Sequence, residues 1–354
     1  MRSPRTASAS RCASSASTCT GTSASAGTSI SRATRSPASG SAAASESRWR
    51  LTGVLRAPPR RHHIVASGVR AGSEPGRRAH TPAQSVIAPA LWMHRIWRIM
   101  ELEILGAFGG ESPECRLTSI VVNGTVAIDA GCLCQALPLE RQMQISTIVL
   151  THSHMDHTSS IPFFVDNVFG RRVGGISLYG SEPTLYAVRK HLFNSANWPD
   201  FSLLPNHLEP ALHFHVFRDE QPFDSDDVTL TPIAVNHVVP THGMLIESGD
   251  SAFLWSSDTG PTQRFWEVAN RTRNLRGLAI DVSFDNSMQA VADDSLHLTP
   301  RSLVAELEKL EVDVPVWIQH MKPFCVDKIR DEIRQLGNPA IRFFEQGRKY
   351  RFGS

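Results

Sequence analysis

In the segment Thr151-His152-Ser153-His154-Met155-Asp156-His157, three imidazoles and a carboxylate fall within six residues. Imidazole nitrogen and carboxylate oxygen are the donors that hold zinc and related divalent ions. As packing, the same cluster is costly, because every buried polar atom needs a partner. The cluster follows directly on the short apolar run 147–150 (TIVL). A tight turn there can send His152 and His154 to one ion, and Asp156 and His157 to a second. The alternative is a polar loop in which histidines coincide by chance. The density of ligand-type residues favours a metal motif.

The elements that must carry such a site can be read along the chain. Residues 101–106 (ELEILG) alternate polar and apolar side chains, as a half-buried strand does. Residues 117–122 and 125–128 read as two strands joined at Asn123-Gly124, a hairpin dipeptide. Strand-like runs at 228–235, 244–247 and 252–255 then alternate with helix-like runs at 183–192, 300–310 and 326–336. This order predicts an α/β layered domain over residues 100–354, with no internal repeat.

Composition separates that domain from what precedes it. Residues 1–99 hold fifteen Arg, no Lys and only Glu46 and Glu74, a net charge of +13 against −11 for the remainder. Residues 1–50 are mostly Ser, Ala, Thr, Gly and Arg, and 51–92 add Pro and Arg without a sustained period. Ordering such a chain would bury little apolar surface. Residues 1–99 are therefore expected to be a disordered low-complexity extension, or sequence upstream of a true start at Met93 or Met100. An organellar transit peptide is the other reading of an Arg- and Ser-rich, acid-poor segment. The arginines lack the aromatic interleaving or basic helix of a nucleic-acid binder. The 41% hydrophobic and 20% charged content fits a globular protein, and no run of 18 apolar residues suggests a membrane-spanning helix. Cys12, Cys19, Cys115, Cys132, Cys134 and Cys325 include no CxxC pair, so they read as ordinary thiols of a reducing, cytoplasmic compartment.

The histidine cluster resembles the HxHxDH motif of the metallo-β-lactamase superfamily. That resemblance implies an αββα sandwich and directs a search for further ligands in family order. His237 follows the run ending at Val235, Asp258 ends Trp255-Ser256-Ser257-Asp258, and His320 closes Val316-Trp317-Ile318-Gln319-His320. The implied arrangement has His152, His154 and His237 on one metal, Asp156, His157 and His320 on the other, and Asp258 bridging. Asp129 also matches a family position, as a residue that holds the ligand loop. His242 and the pair His213 and His215 lack a strand-end placement and read as surface or supporting residues.

Further stretches are similar to class II cyclic-nucleotide phosphodiesterases. They are His191-Leu192-Phe193-Asn194 with Trp198-Pro199-Asp200-Phe201, Ile280-Asp281-Val282-Ser283-Phe284 with His297-Leu298-Thr299-Pro300, and His320-Met321-Lys322-Pro323. With Leu105-Gly106 through Asp166-Asn167, the likeness covers nearly all of 100–345. It implies hydrolysis of 3′,5′-cyclic nucleotides, cAMP before cGMP, to 5′-monophosphates by a metal-bridging hydroxide. Two divalent ions would serve, zinc first, with Mn²⁺ or Fe²⁺ as alternatives. Asp156 would orient the hydroxide or take its proton. His297, oriented by Asp281, would be the general acid for the 3′ oxygen; otherwise it is a capping or core histidine before a helix. Trp198 and Phe201 read equally as a wall against a purine ring or as loop packing. Asn167 is a candidate substrate contact, and Lys322 either meets phosphate or is solvated.

The sequence departs from the family at Met155, Thr158, Cys132 and Cys134, and has Asp281 where Glu is common, which leaves the reach to His297 open. The rival enzyme reading is a ribonuclease Z-like tRNA 3′-end endonuclease. It sits poorly with a catalytic portion of net −11 and no Lys-rich arm. A non-catalytic metal-binding scaffold with a basic tail is the other rival. The expected partner is a small cyclic nucleotide, without nucleic acid or membrane, and a homodimer is compatible.

Overall fold

The computed structural model describes residues 99–353. The expectation of a disordered extension therefore lies outside the described residues. The first half of the domain supplies β1 (Met100–Gly106), β2 (Ser119–Val122), β3 (Val126–Ile128), β4 (Thr147–Val149), β5 (Ile176–Gly180) and β6 (Leu212–Val216). Among them lie α1 (Leu133–Ala136), α2 (Leu139–Gln142), α3 (Met155–Thr158), α4 (Ile161–Val168) and α5 (Glu182–His191). The second half supplies β7 (Phe223–Ser225), β8 (Val228–Val235), β9 (Thr241–Ser248), β10 (Ser251–Trp255), β11 (Leu275–Asp281) and β12 (Val316–Gln319). Its helices are α6 (Arg264–Arg271), α7 (Gln289–Ser295), α8 (Pro300–Leu307) and α9 (Val326–Gln335), followed by β13 (Ile341–Phe343) and β14 (Lys349–Phe352).

These strands form two seven-stranded sheets, ordered β14-β1-β2-β3-β4-β5-β6 and β13-β12-β11-β10-β9-β8-β7. The β2–β3 hairpin turns at Asn123 (φ 48°) and Gly124 (φ 80°), the left-handed pair that matches strand twist. The last strand returns to the first sheet, with Met100 opposite Phe352.

Side-chain alternation assigns the layers. In β10, Phe253 and Trp255 join Ile104, Ile120 and Met244 in a core between the sheets, whereas Leu254 packs outward against α6. On the outer face of the first sheet, Ile148 and Leu178 meet Phe164 and Val165 of α4. Ile280 and Ile318 meet Leu303 of α8 and Ile329 of α9 outside the second. Strands buried on both faces are what helices on both flanks require. The αββα sandwich expected from the sequence is thus the observed fold. Among the described residues, no helix is long and apolar enough to cross a membrane.

Candidate metal centre

Strand ends deliver the polar residues. β4 leads into His152, β8 into His237, β10 into Asp258, β11 ends on Asp281, and β12 leads into His320. β10, β11 and β12 run parallel, as do β3 and β4, so their carboxyl ends open at common edges where loops can carry function. Asp129 (φ 57°), Ser257 (φ 57°), Leu296 (φ 52°) and His320 (φ 65°) lie in the left-handed region beside these ends. Each such residue costs about 1–2 kcal/mol, which persists only where surrounding contacts impose it.

Two groups of ligand-type atoms, each within 4.8 Å, meet here: His152, His154, His237 and Asp258, then Asp156, His157, Asp258 and His320. Asp258 is common to both. Its Oδ2 faces Nε2 of His152 at 3.6 Å and of His237 at 3.8 Å. Its Oδ1 lies 3.2 Å from Nε2 of both His157 and His320. One buried carboxylate therefore turns one oxygen to each group.

Whether these residues fit a metal is decided by their outer hydrogen bonds. His157 Nδ1 donates to Asp129 Oδ2 at 2.7 Å, and His237 Nδ1 to the Leu296 carbonyl at 3.2 Å. His320 Nδ1 donates to Ser283 Oγ at 2.9 Å. Thr151 Oγ1 gives its proton to Asp129 and accepts from Ser257, so His152 Nδ1, 3.1 Å away, is also a donor. A neutral imidazole that donates through Nδ1 carries its lone pair on Nε2. Four lone pairs thus converge on Asp258, with the Nε2 atoms of His157 and His320 only 3.2 Å apart. His152 Nε2 and Asp258 Oδ1 are buried without hydrogen-bond partners. Such a set is satisfied by cations, and the cluster fits divalent metal.

The electrostatics differ between the two groups. Burial, with repulsion from neighbouring rings, lowers the pKa of His152 well below the ordinary imidazole value. Burial also lowers that of His154 and His237, keeping these ligands neutral. At His157 burial opposes charge, but Asp258 and Asp129 outweigh it and raise the pKa well above the usual range. Positive charge is favoured at that point. Asp156 and Asp258 remain ionised, because the neighbouring histidines more than offset the burial of each carboxylate.

A second unit adjoins the cluster. His297 Nδ1 donates to Asp281 Oδ2 at 2.6 Å, and its ring stacks on His320 at 5.3 Å and lies 4.9 Å from His237. Aspartate in place of the commoner glutamate therefore still reaches the imidazole. Asp281 is fully buried and also accepts from Thr259 N at 3.1 Å and Ser283 Oγ at 2.8 Å. Burial disfavours charge on His297, yet the Asp281 charge and hydrogen bond raise its pKa. Lys322 Nζ bonds the Gly109 carbonyl and stands 3.7 Å from Asp156 Oδ2, at the edge of the same cluster.

Three other candidate contacts sit elsewhere. Phe201 is 2% exposed and packs in the core with Phe169 and Phe193. Trp198 is partly buried against the same core and edge-on to Phe163 at 5.0 Å. Asn167 donates to Gln142 at 2.9 Å and to the Cys134 sulfur, tying α4 to α1 and α2. Phe201 and Asn167 thus shape the flank of the first sheet through packing and hydrogen bonds. His213 and His215 lie on β6, and His242 on β9, outside both groups. Cys115, Cys132, Cys134 and Cys325 are free thiols.

Two residues escaped the sequence reading. Ser283 links His320 to Asp281. Gly109 abuts the His320 ring, where an added Cβ would fall 2.4 Å from Cε1. The Gly109-Gly110 pair was the available signal for a close approach.

Residues 124–321 match the beta-lactamase superfamily domain, and the chain belongs to the metallo-β-lactamase superfamily. Its site is that of a metal-dependent hydrolase of this superfamily. Among relatives, the chain is 28% identical over 258 residues to a probable 3′,5′-cyclic-nucleotide phosphodiesterase of Yersinia pestis, covering 61% of this chain and 72% of the other. Unliganded yeast PDE1 superposes with a TM-score of 0.60 at 17% identity, over 72% of this chain and 99% of that one. The short form of human tRNase Z gives 0.51 at 15% identity, over 71% and 98%. These two structures share the fold.

Proposed function

We propose that the protein hydrolyses 3′,5′-cyclic nucleotides, cAMP before cGMP, to 5′-monophosphates, using two divalent ions, zinc first. The carrying observation is the convergence of outward-anchored histidines on the two oxygens of Asp258, beside an adjoining Asp281–His297 pair. His152, His154 and His237 would hold one ion and Asp156, His157 and His320 the other. Bound there, the ions would supply charge neutralisation for the phosphodiester and activation of water at neutral pH.

The remaining work falls to the chain. Asp156, whose Oδ2 lies 3.2 Å from His320 Nε2, orients the attacking water or accepts its proton. Lys322 adds a cation where an anionic phosphate would approach. His297 commits Nδ1 to Asp281, which leaves Nε2 to protonate the departing 3′ oxygen. The carboxylate of Asp281 raises the pKa of His297 and so favours its protonated form. A net charge of −11 over residues 100–354 favours a small anion over a polyanionic RNA, because phosphate neutralisation dominates RNA binding.

The test is turnover of cAMP, cGMP and a pre-tRNA in parallel. Hydrolysis of the cyclic nucleotides alone supports the reading. Cleavage of pre-tRNA alone would move the protein to the ribonuclease Z branch.

A further inference from the structure

Asp281 ends β11, and two residues on, Ser283 returns its side chain to the same side of the extended chain. The Ser283 hydroxyl is fully buried and lies 2.8 Å from Asp281 Oδ1, 2.9 Å from His320 Nδ1 and 3.1 Å from His297 Nδ1. Proton positions follow from what each partner can do. His297 Nδ1 already gives its proton to Asp281 Oδ2 and cannot accept another. Asp281 Oδ1 only accepts, is charged and at 2.8 Å lies nearer than the other acceptor, the His320 carbonyl at 3.1 Å, so the serine proton goes there. The serine oxygen then accepts from His320 Nδ1, which leaves Nε2 of that ring with its lone pair toward Asp156 and Asp258.

We infer that Ser283 is a positioning residue through which Asp281 orients the metal ligand His320 as well as the general acid His297. This rests on the metal-dependent phosphodiesterase reading. Asp281, His297 and His320 form a third group of ligand-type atoms. Both Nδ1 atoms in that group are donors to oxygen, so it is a hydrogen-bonded relay and not another cation site. The other anchored ligands do not draw on Asp281 by hydrogen bonds: Asp129 stands behind His157 and, through Thr151, behind His152, and the Leu296 carbonyl stands behind His237. Among the described residues, Ser283 alone joins a proposed metal ligand to the proposed proton donor. Asp281 touches no proposed ligand directly in the hydrogen-bond network, yet its charge reaches His320 in one step.

Outer partners of metal-bound histidines typically carry about 10–100-fold in metal affinity. The test is chelator competition with metal content read by mass spectrometry, on Ser283→Ala, Asp281→Asn and the double variant of the full chain. Ser283→Ala should weaken one ion by about 10–100-fold and leave the other. Asp281→Asn should weaken the same ion in the wild-type background and add little in the Ser283→Ala background. Unchanged affinity in Ser283→Ala, or effects that simply add in the double variant, would overturn the relay. If Ser283→Ala fails to fold, Asp281→Asn alone decides: loss of one ion supports the relay, and two unaltered ions overturn it. Failure of the broader reading looks different, since a wild-type chain holding no tight divalent ion would refute the metal site itself.

Discussion

Replacing His297 by alanine separates proton donation from metal binding. Expulsion of the 3′ alkoxide from cAMP demands a proton, whereas a nitrophenyl phosphodiester leaves as a stabilised phenolate that scarcely needs one. General-acid catalysis contributes roughly 10²–10⁴-fold, about 3–5 kcal/mol of barrier. Three structural facts bear on how cleanly the variant isolates that effect. His297 bonds no proposed ligand through Nε2, and its contacts with His237 and His320 are ring contacts. Asp281 would lose one donor but keep Thr259 N and Ser283 Oγ, so the buried carboxylate is not orphaned. The Asp281–Ser283–His320 link also survives. His297→Ala should therefore lose about 10²–10⁴-fold in kcat on cAMP, far less on the nitrophenyl diester, with metal content unchanged. At metal concentrations that fill both sites, Asp281→Asn should show the same asymmetry more weakly on turnover. Steady-state kinetics on both substrates, with metal analysis of the same samples, gives the answer. Equal losses on the two substrates would refute the general-acid role and indicate a part in metal binding or folding.

Gly109→Ala would place a Cβ 2.4 Å from His320 Cε1 and 2.8 Å from its backbone oxygen, where neither neighbour can yield freely. We expect the ion held by Asp156, His157 and His320 to weaken by about 10-fold or more; isothermal titration with zinc checks this, and two undisturbed sites would contradict it. Asp258→Ala should weaken both ions, since each oxygen faces a different group, whereas Asp156→Ala should weaken one. Equilibrium dialysis distinguishes the two patterns.

Much of the candidate site was legible because its residues sit where strand patterns end. His152, His237, Asp258 and His320 each follow an apolar run, and such runs mark the edge at which an α/β sandwich opens. Asp281 and His297 were legible only through the resemblance, since they stand sixteen positions apart with α7 between them. What stayed hidden depends on contacts no local pattern encodes. Ser283 gains its role from His320, thirty-seven residues away and on a different strand end. Phe201 carries the composition of a binding wall, but the β6 side of the first sheet buries it beside Phe193. The left-handed conformations of Asp129, Ser257, Leu296 and His320 carry no glycine signal, because the surrounding hydrogen bonds, not local preference, impose them. The pairing of β14 with β1 likewise joins the two ends of the described domain, a contact no local pattern encodes.

The most direct measurement is product analysis on cAMP with protein stripped of metal and then reloaded with zinc. The account expects 5′-AMP, formed by the reloaded protein and not by the stripped one. Turnover that survives complete metal removal, or a reloaded protein with two ions bound that leaves cAMP intact, would contradict it.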